Sequence, residues 1–351
     1  MNIFLTIDVE CYSGDYEAEV YGGGLGLPFI LDVCRQHGMR ATFFVEALGA
    51  TRWGDAGVRR ICQDLKAHQQ DIQLHIHPSV ADELKKGLNM DMQDKQDKQI
   101  NRASSKSSCP SMLNPSSFDQ GSSLADCCDT FSALDGAMQE HLLRVGRTIL
   151  EGCGAPTISA FRAGDLAAND VTLLAMERAG IKIGSNRDLD GKCSIRSELN
   201  HAFPVVNDIS VLNGQIDLPV TVMRSPFPFL DGKVRHFEIS ALGAAEMRDG
   251  LRRLKKAGYA TATILTHPGE FFRNVNGRYV PIQKNCRRWE SLLKFLAIEP
   301  GIEVNCVGEC ADISFPERSP VIPRFNPVFS LLRVIEQVRQ RIWARRHGVR
   351  P

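Results

Sequence analysis

Charge of one sign is scarce in this chain: 42 Lys and Arg stand against 41 Asp and Glu, a formal net charge of +1 over 351 residues. No basic field therefore argues for nucleic acid as a partner, and a neutral substrate suits the chain as well as an anionic one. Long hydrophobic runs are also missing. No uninterrupted apolar stretch reaches the roughly 20 residues that a membrane-spanning helix needs. The amino terminus runs Met1-Asn2-Ile3-Phe4-Leu5-Thr6 straight into its first apolar run. It carries no basic n-region, extended apolar core or small-residue cleavage site, the marks of an export signal. The eleven cysteines are odd in number and lack a repeating spacing, so reduced thiols are expected rather than a disulfide framework. These absences place the expected location in the cytoplasm.

What is present is the composition of an ordinary globular protein, 43% apolar and 24% charged. Short β-rich runs recur at Ile3 to Ile7, Ala41 to Val45, Ile72 to Leu74, Thr157 to Phe161, Ile181 to Ile183, Ile216 to Val220, Thr261 to Leu265 and Ile302 to Asn305. They lack strict alternation, the mark of strands buried on both faces. Between them, the patterns over Leu27 to Gln36, Gly57 to His68, Ala137 to Leu150, Asp170 to Ala179 and Ala244 to Ala257 predict helices. Gly38, Gly180 and Gly258 stand where C-caps belong. Alternating strand and helix argues a parallel α/β architecture, an incomplete or distorted barrel. Residues 90–126, rich in Lys, Gln, Asp and Ser, break this rhythm and read as a polar surface insertion.

Chemistry-bearing residues sit just past three of the runs: Asp8 and Glu10 in LTIDVE, His75 and His77 in QLHIHP, and His267 in ILTHPGE. An α/β fold collects its chemistry at the carboxyl ends of its strands. Period-two geometry sends Asp8 and Glu10 to one side, and likewise His75 and His77. Two carboxylates held together need a cation or a proton between them, although such a pair can also cap a helix or line a surface turn. Two imidazoles with one carboxylate form the donor set of catalytic zinc and non-haem iron. Few aromatics flank these segments. Phe227, Phe229, Phe271 and Phe272 suit the core as well as a stacking platform.

LTIDVE, QLHIHP, AFRAGD, IDLPVT and ILTHPGE stand in the order of the five motifs of the polysaccharide deacetylase superfamily, the NodB-homology or carbohydrate esterase family 4 group, which the chain resembles from about residue 1 to 315. That resemblance implies a distorted (β/α)7 barrel and a metal-dependent hydrolase that removes an N-acetyl group from a sugar. It implies Asp8 as base, Glu10 and His75 as metal ligands, Arg162 as the residue that orients the base, and His267 as general acid. The cation is expected to be zinc, with cobalt, nickel or iron(II) as alternatives. Two departures stand out. The acidic pair is split by Val9, and the position of the second metal histidine, four residues after the first, holds Ser79, so His77 is the nearby imidazole left to ligate. Arg162 is expected to fork onto Asp8. Asp217 in IDLPVT is expected either to keep His267 protonated or to cap a strand edge.

The expected partner is a carbohydrate or glycan intermediate, such as a nucleotide-linked sugar or a lipid-linked glycan. Two alternatives stay open: cleavage of another non-peptide C–N bond of cyclic imide or ureide type, and a catalytically degenerate barrel that only binds a glycan. Residues 316–351 form a proline-containing linker and a basic amphipathic helix, with Val328, Leu331, Leu332, Ile335, Val338 and Ile342 at helical spacing among arginines. Either this helix docks its apolar stripe on the body and solvates its basic face, or it meets a membrane surface or a partner.

Overall fold

In the computed structural model, which describes residues 1–81, 130–188, 199, 203, 205, 207–231, 234–317 and 320–346, the first strand sets the plan for the rest. Strand β1 (Asn2–Val9) is buried along nearly its whole length, and its alternation sorts two layers. Ile3, Leu5, Ile7 and Val9 face the helices, within the large apolar cluster. Phe4 belongs to a separate, smaller cluster inside the sheet's curl with Phe44, Ala160, Ile183 and Leu218. Period two then puts Thr6, Asp8 and Glu10 above Phe4 on the inner side.

The other strands are β2 (Thr42–Glu46), β3 (Asp71–Ile76), β4 (Ala160–Ala163), β5 (Ile183–Gly184), β6 (Ser210–Leu212), β7 (Gln215–Asp217), β8 (Val222–Arg224), β9 (Val234–His236), β10 (Thr261–Thr266), β11 (Phe272–Val275), β12 (Arg278–Pro281) and β13 (Glu303–Asn305). The main sheet runs β10-β1-β2-β3-β4-β5-β7-β6, with β13 beside the start of β1. Its neighbours are parallel from β10 through β7, and β6 pairs antiparallel with β7. The register aligns Glu46 with His75 and His75 with Arg162, so their side chains stand at one height on the carboxyl rim. The curl is closed beside β10 by irregular chain. Asp208 accepts from the backbone of Ile209, Ala260 and Thr261, Thr221 bonds to Thr263 in both directions, and Leu265 donates to Phe237. Those contacts are the distortion of the (β/α)7 barrel.

The helices are α1 (Leu27–Gln36), α2 (Gly49–Trp53), α3 (Ala56–Ala67), α4 (Gly136–Gly152), α5 (Asp170–Arg178), α6 (Pro228–Asp231), α7 (Ala244–Lys256), α8 (Gln283–Leu296) and α9 (Pro327–Arg346). The expected apolar stripe of α3 is the buried one, Val58, Ile61, Cys62 and Leu65. Gly38, Gly180 and Gly258 take the left-handed conformation at their C-caps. The seven described cysteines are buried thiols. Burial pushes those of Cys34, Cys62, Cys306 and Cys310 up to about 12. The polar insertion expected at 90–126 lies, with its boundaries, outside the described residues. Among the described residues no helix is long and apolar enough to cross a membrane.

For the carboxyl-terminal helix, the reading in which its apolar stripe docks on the body needs correcting. Phe325 is buried against Phe237, and α9 packs on α7 through Ser330 and Arg333, both of which bond to Glu246. The apolar stripe faces outward: Val328, Leu331, Leu332, Ile335 and Val338 are all exposed. A buried charged pair, Arg333 with Glu246, fixes which side of the helix meets the body.

Candidate active site and metal centre

The β1 column ends in the first two candidates. Asp8 is buried and is held by Arg162 Nη1 at 2.7 Å. The expected fork is not formed. The other guanidinium contacts go to Thr6 Oγ1 at 3.0 Å, the Ser185 carbonyl at 3.1 Å and Ser185 Oγ at 2.7 Å, and the plane lies over Phe44. Arg162 is therefore a buried brace that spends one donor on Asp8 and three contacts on the barrel wall.

Two residues on, Glu10 meets both histidines. Its Oε1 lies 2.9 Å from His75 Nε2 and 3.1 Å from His77 Nε2. Burial would push the Glu10 carboxyl up, but the hydrogen bonds from His75 and His77 outweigh it and hold it well below the usual carboxylate range. Ser79 sits in the short turn Pro78–Val80, where the chain leaves the rim. Sequence reasoning missed Tyr12. Its hydroxyl lies 2.9 Å from His77 Nε2 and donates to Glu10 Oε2 at 3.1 Å. The signal was its place two residues beyond Glu10. Also missed was Gly164 of AFRAGD, on which the His77 ring lies: a Cβ there would come within 2.3 Å of His77 Cε1.

His267 stands on the other flank, with Nε2 4.0 Å from Asp8 Oδ2 and Nδ1 3.3 Å from Glu270 Oε1. Burial lowers its pKa, but Glu270, Glu10 and Asp8 together raise it to about 10. The carboxylate on this imidazole is thus Glu270, three residues on in the same THPGE segment, and the role expected of Asp217 is corrected. Asp217 is buried against Arg187, at 2.7 Å from its Nε, on β7, with β5 between it and β4 in the sheet. Burial raises the Asp217 pKa even against that guanidinium. It is a wall pair, not a partner of His267.

Asp8, Glu10, Tyr12 and His267 line a cavity of about 340 Å³ whose far side is Phe272, Arg273 and Asn274 of the β11–β12 hairpin. A larger depression of about 680 Å³ opens at the opposite end of the strands, around Met1, Asn2 and Tyr259. It gathers none of these groups. Among the described residues, two donor groups of the kind that hold metals occur on the rim: Glu10, His75 and His77, and Asp8, Glu10 and His267. The first fits a divalent cation better. Bonds of about 2.0–2.2 Å to nitrogen and oxygen place neighbouring donors on the order of 3 Å apart, and the Glu10–His75 and Glu10–His77 separations are 2.9 and 3.1 Å. Its weak point is His75 Nδ1, buried without a hydrogen-bond partner, so no outer acceptor fixes that ring's tautomer.

No protein-family model matches the chain, and no curated protein matches it by sequence. Solved structures do match. A protein from Mycobacterium smegmatis, provisionally named a polysaccharide deacetylase, aligns over 90% of this chain and 94% of its own at 14% identity and a TM-score of 0.50. The 4-alpha-glucanotransferase of Thermococcus litoralis aligns over 92% of this chain and 42% of its own at 9% identity and a TM-score of 0.50. A carbohydrate esterase family 4 pseudoenzyme of Bacillus anthracis aligns over 92% and 68% at 11% identity, with a TM-score of 0.42. The chain has the distorted α/β barrel of the polysaccharide deacetylase group, with a candidate metal-binding group on its carboxyl rim. At these identities the likeness establishes the fold, and the activity rests on the site.

Proposed function

We propose that this protein is a metal-dependent hydrolase that removes an N-acetyl group from a sugar or glycan intermediate. The observation that carries the reading is the pairing across the cavity mouth. A carboxylate braced by a buried arginine faces a carboxylate-held imidazole at 4.0 Å, beside a Glu-His-His donor set. Glu10, His75 and His77 would hold a divalent cation, which would supply Lewis acidity toward the acyl carbonyl. Zinc suits that donor set, and cobalt, nickel and iron(II) are the alternatives.

The chain's own residues do the proton work. Asp8, which Arg162 aims by its Nη1 contact, accepts a proton from the attacking water as the new C–O bond forms. His267, whose cationic form the Glu270 carboxylate at Nδ1 favours, gives its Nε2 proton to the departing nitrogen as the C–N bond breaks. The products are acetate and a free amine. The experiment is direct: zinc-loaded protein is incubated with N-acetylated oligosaccharides and nucleotide-linked N-acetyl sugars, and acetate is measured. Metal-dependent acetate release, lost in Asp8→Asn and His267→Gln, supports the reading. Ammonia or a ring-opened product from a cyclic ureide, with no acetate from any sugar, transfers the assignment to the other C–N hydrolases.

A further inference from the structure

Helix α9 is inside out. An amphipathic terminal helix normally buries its apolar stripe and leaves its charges in water. Here the face against the body is led by polar side chains, with Phe329 and Val334 half-buried beside them. Ser330 and Arg333 are buried, Arg333 Nε donates to Glu246 Oε2 at 2.8 Å, and Arg288 Nη2 reaches Glu336 Oε2 at 2.6 Å from the neighbouring helix α8. The outward face is apolar, with Val328 at 61% exposure, Leu331 at 48%, Leu332 at 56%, Ile335 at 39% and Val338 at 48%. These positions repeat at three- and four-residue steps and form one continuous stripe. The buried Arg333–Glu246 pair holds this orientation, because turning the stripe inward would strand Glu246 without its partner.

The charge on the helix says what covers the stripe. From Pro327 to Arg346 the only acidic residue is Glu336, already engaged by Arg288, while the backbone carries Arg339, Arg341, Arg345 and Arg346 through its last two turns, with Trp343 among them. Arg339 is exposed and falls four residues after Ile335, on the apolar stripe itself. Outward aliphatic side chains, a basic end and an indole are the composition of a helix that lies in the headgroup layer of an anionic bilayer. A parallel contact with a second copy would bring those arginine-rich ends toward like charge in a way that an anionic surface does not.

We propose that α9 is a peripheral membrane anchor that lays Leu331, Leu332, Ile335 and Val338 into an anionic lipid surface. The binding is independent of the hydrolytic chemistry. The test is flotation of the full chain with phosphatidylcholine vesicles, with and without phosphatidylglycerol, alongside light scattering of the lipid-free protein. Wild-type protein should float with the anionic vesicles only, and added salt should weaken the binding. Arg339→Gln should weaken it about fivefold. The combined variant Leu331→Ser, Leu332→Ser, Ile335→Ser should lose it while keeping the wild-type circular dichroism, since these side chains are exposed. Wild-type protein that stays at the bottom of the gradient overturns the proposal, as does equal flotation of the triple variant. So does a dimer that dissociates in the triple variant while neither form floats, which would assign the stripe to a second copy.

Discussion

Gly164→Ala is the sharpest perturbation the site offers, because it adds one methyl group and changes nothing else in kind. Gly164 does not adopt a positive φ, so alanine fits its backbone. The added Cβ would lie 2.3 Å from Cε1, 2.4 Å from Nδ1 and 2.6 Å from Nε2 of His77. Ordinary contact begins near 3.4 Å, so the ring must retreat by about 1 Å. Metal sites tolerate about 0.2 Å in a ligand distance, so the retreat takes His77 out of the donor set. The expected loss of cation affinity is about 10- to 100-fold, or roughly 1.4–2.7 kcal/mol. Affinity is read by competition with a chelating indicator, and geometry by the visible absorption of the cobalt form. The control is the same substitution in a His77→Ala background, where the space is empty and Gly164→Ala should cost almost nothing. Wild-type affinity in Gly164→Ala, or an equal loss in both backgrounds, would refute the assignment of His77 to the cation.

Three further outcomes follow from the geometry. Glu46 is fully buried and its carboxyl is pushed up to about 7, against the backbone N–H groups of Gly49 and Leu48 that it accepts. A raised folded value means stability that is present below the unfolded value of 4.5 and lost as pH rises to about 7, on the order of 3 kcal/mol. Denaturant unfolding of metal-free protein should therefore show wild type losing ground to Glu46→Gln between pH 5 and pH 8, and parallel curves would contradict the account. Asp217→Asn should cost about 3–5 kcal/mol by stranding buried Arg187, yet leave the His267 titration in place. Glu270→Gln should move that titration from about 10 toward 6.5, as followed by NMR of the imidazole in metal-free protein. The reverse pattern would restore Asp217 as the partner of His267. Tyr12→Phe should weaken cation binding about tenfold with little change in thermal stability, since the ring is half exposed and its hydroxyl serves Glu10 and His77. Unchanged affinity would make Tyr12 a bystander.

Much of this was legible in the amino acids, and the reasons for the rest are specific. Period two within LTIDVE and QLHIHP sends Asp8 with Glu10, and His75 with His77, to one side; the parallel pairing of β1 and β3 with β2 then levels the strand tips. The partner of Asp217 was not legible, because Arg187 reaches it through the pairing of β5 with β7, a neighbour relation the chain order does not reveal. Glu270 was closer to hand, three residues past His267 on a short turn. Two hairpins, β6–β7 and β11–β12, went unread although Asn213-Gly214 and Asn276-Gly277 mark them. Both residues of each pair take positive φ, as a type I′ turn requires. Helix α8 also had its signal in Cys286, Trp289, Leu293 and Leu296, all buried. The outward stripe of α9 could not have been foreseen. Periodicity shows that a helix has an apolar face, and only the Glu246 contacts show which way it turns.

The central claim is that one carboxylate oxygen and two imidazole nitrogens share a single cation on the carboxyl rim. Anomalous diffraction from crystals of the zinc-loaded protein tests it most directly. One strong peak bounded by Glu10 Oε1, His75 Nε2 and His77 Nε2 is expected, absent in His75→Ala. A peak seated instead among Asp8, Glu10 and His267, or no peak on the rim at saturating zinc, would contradict it.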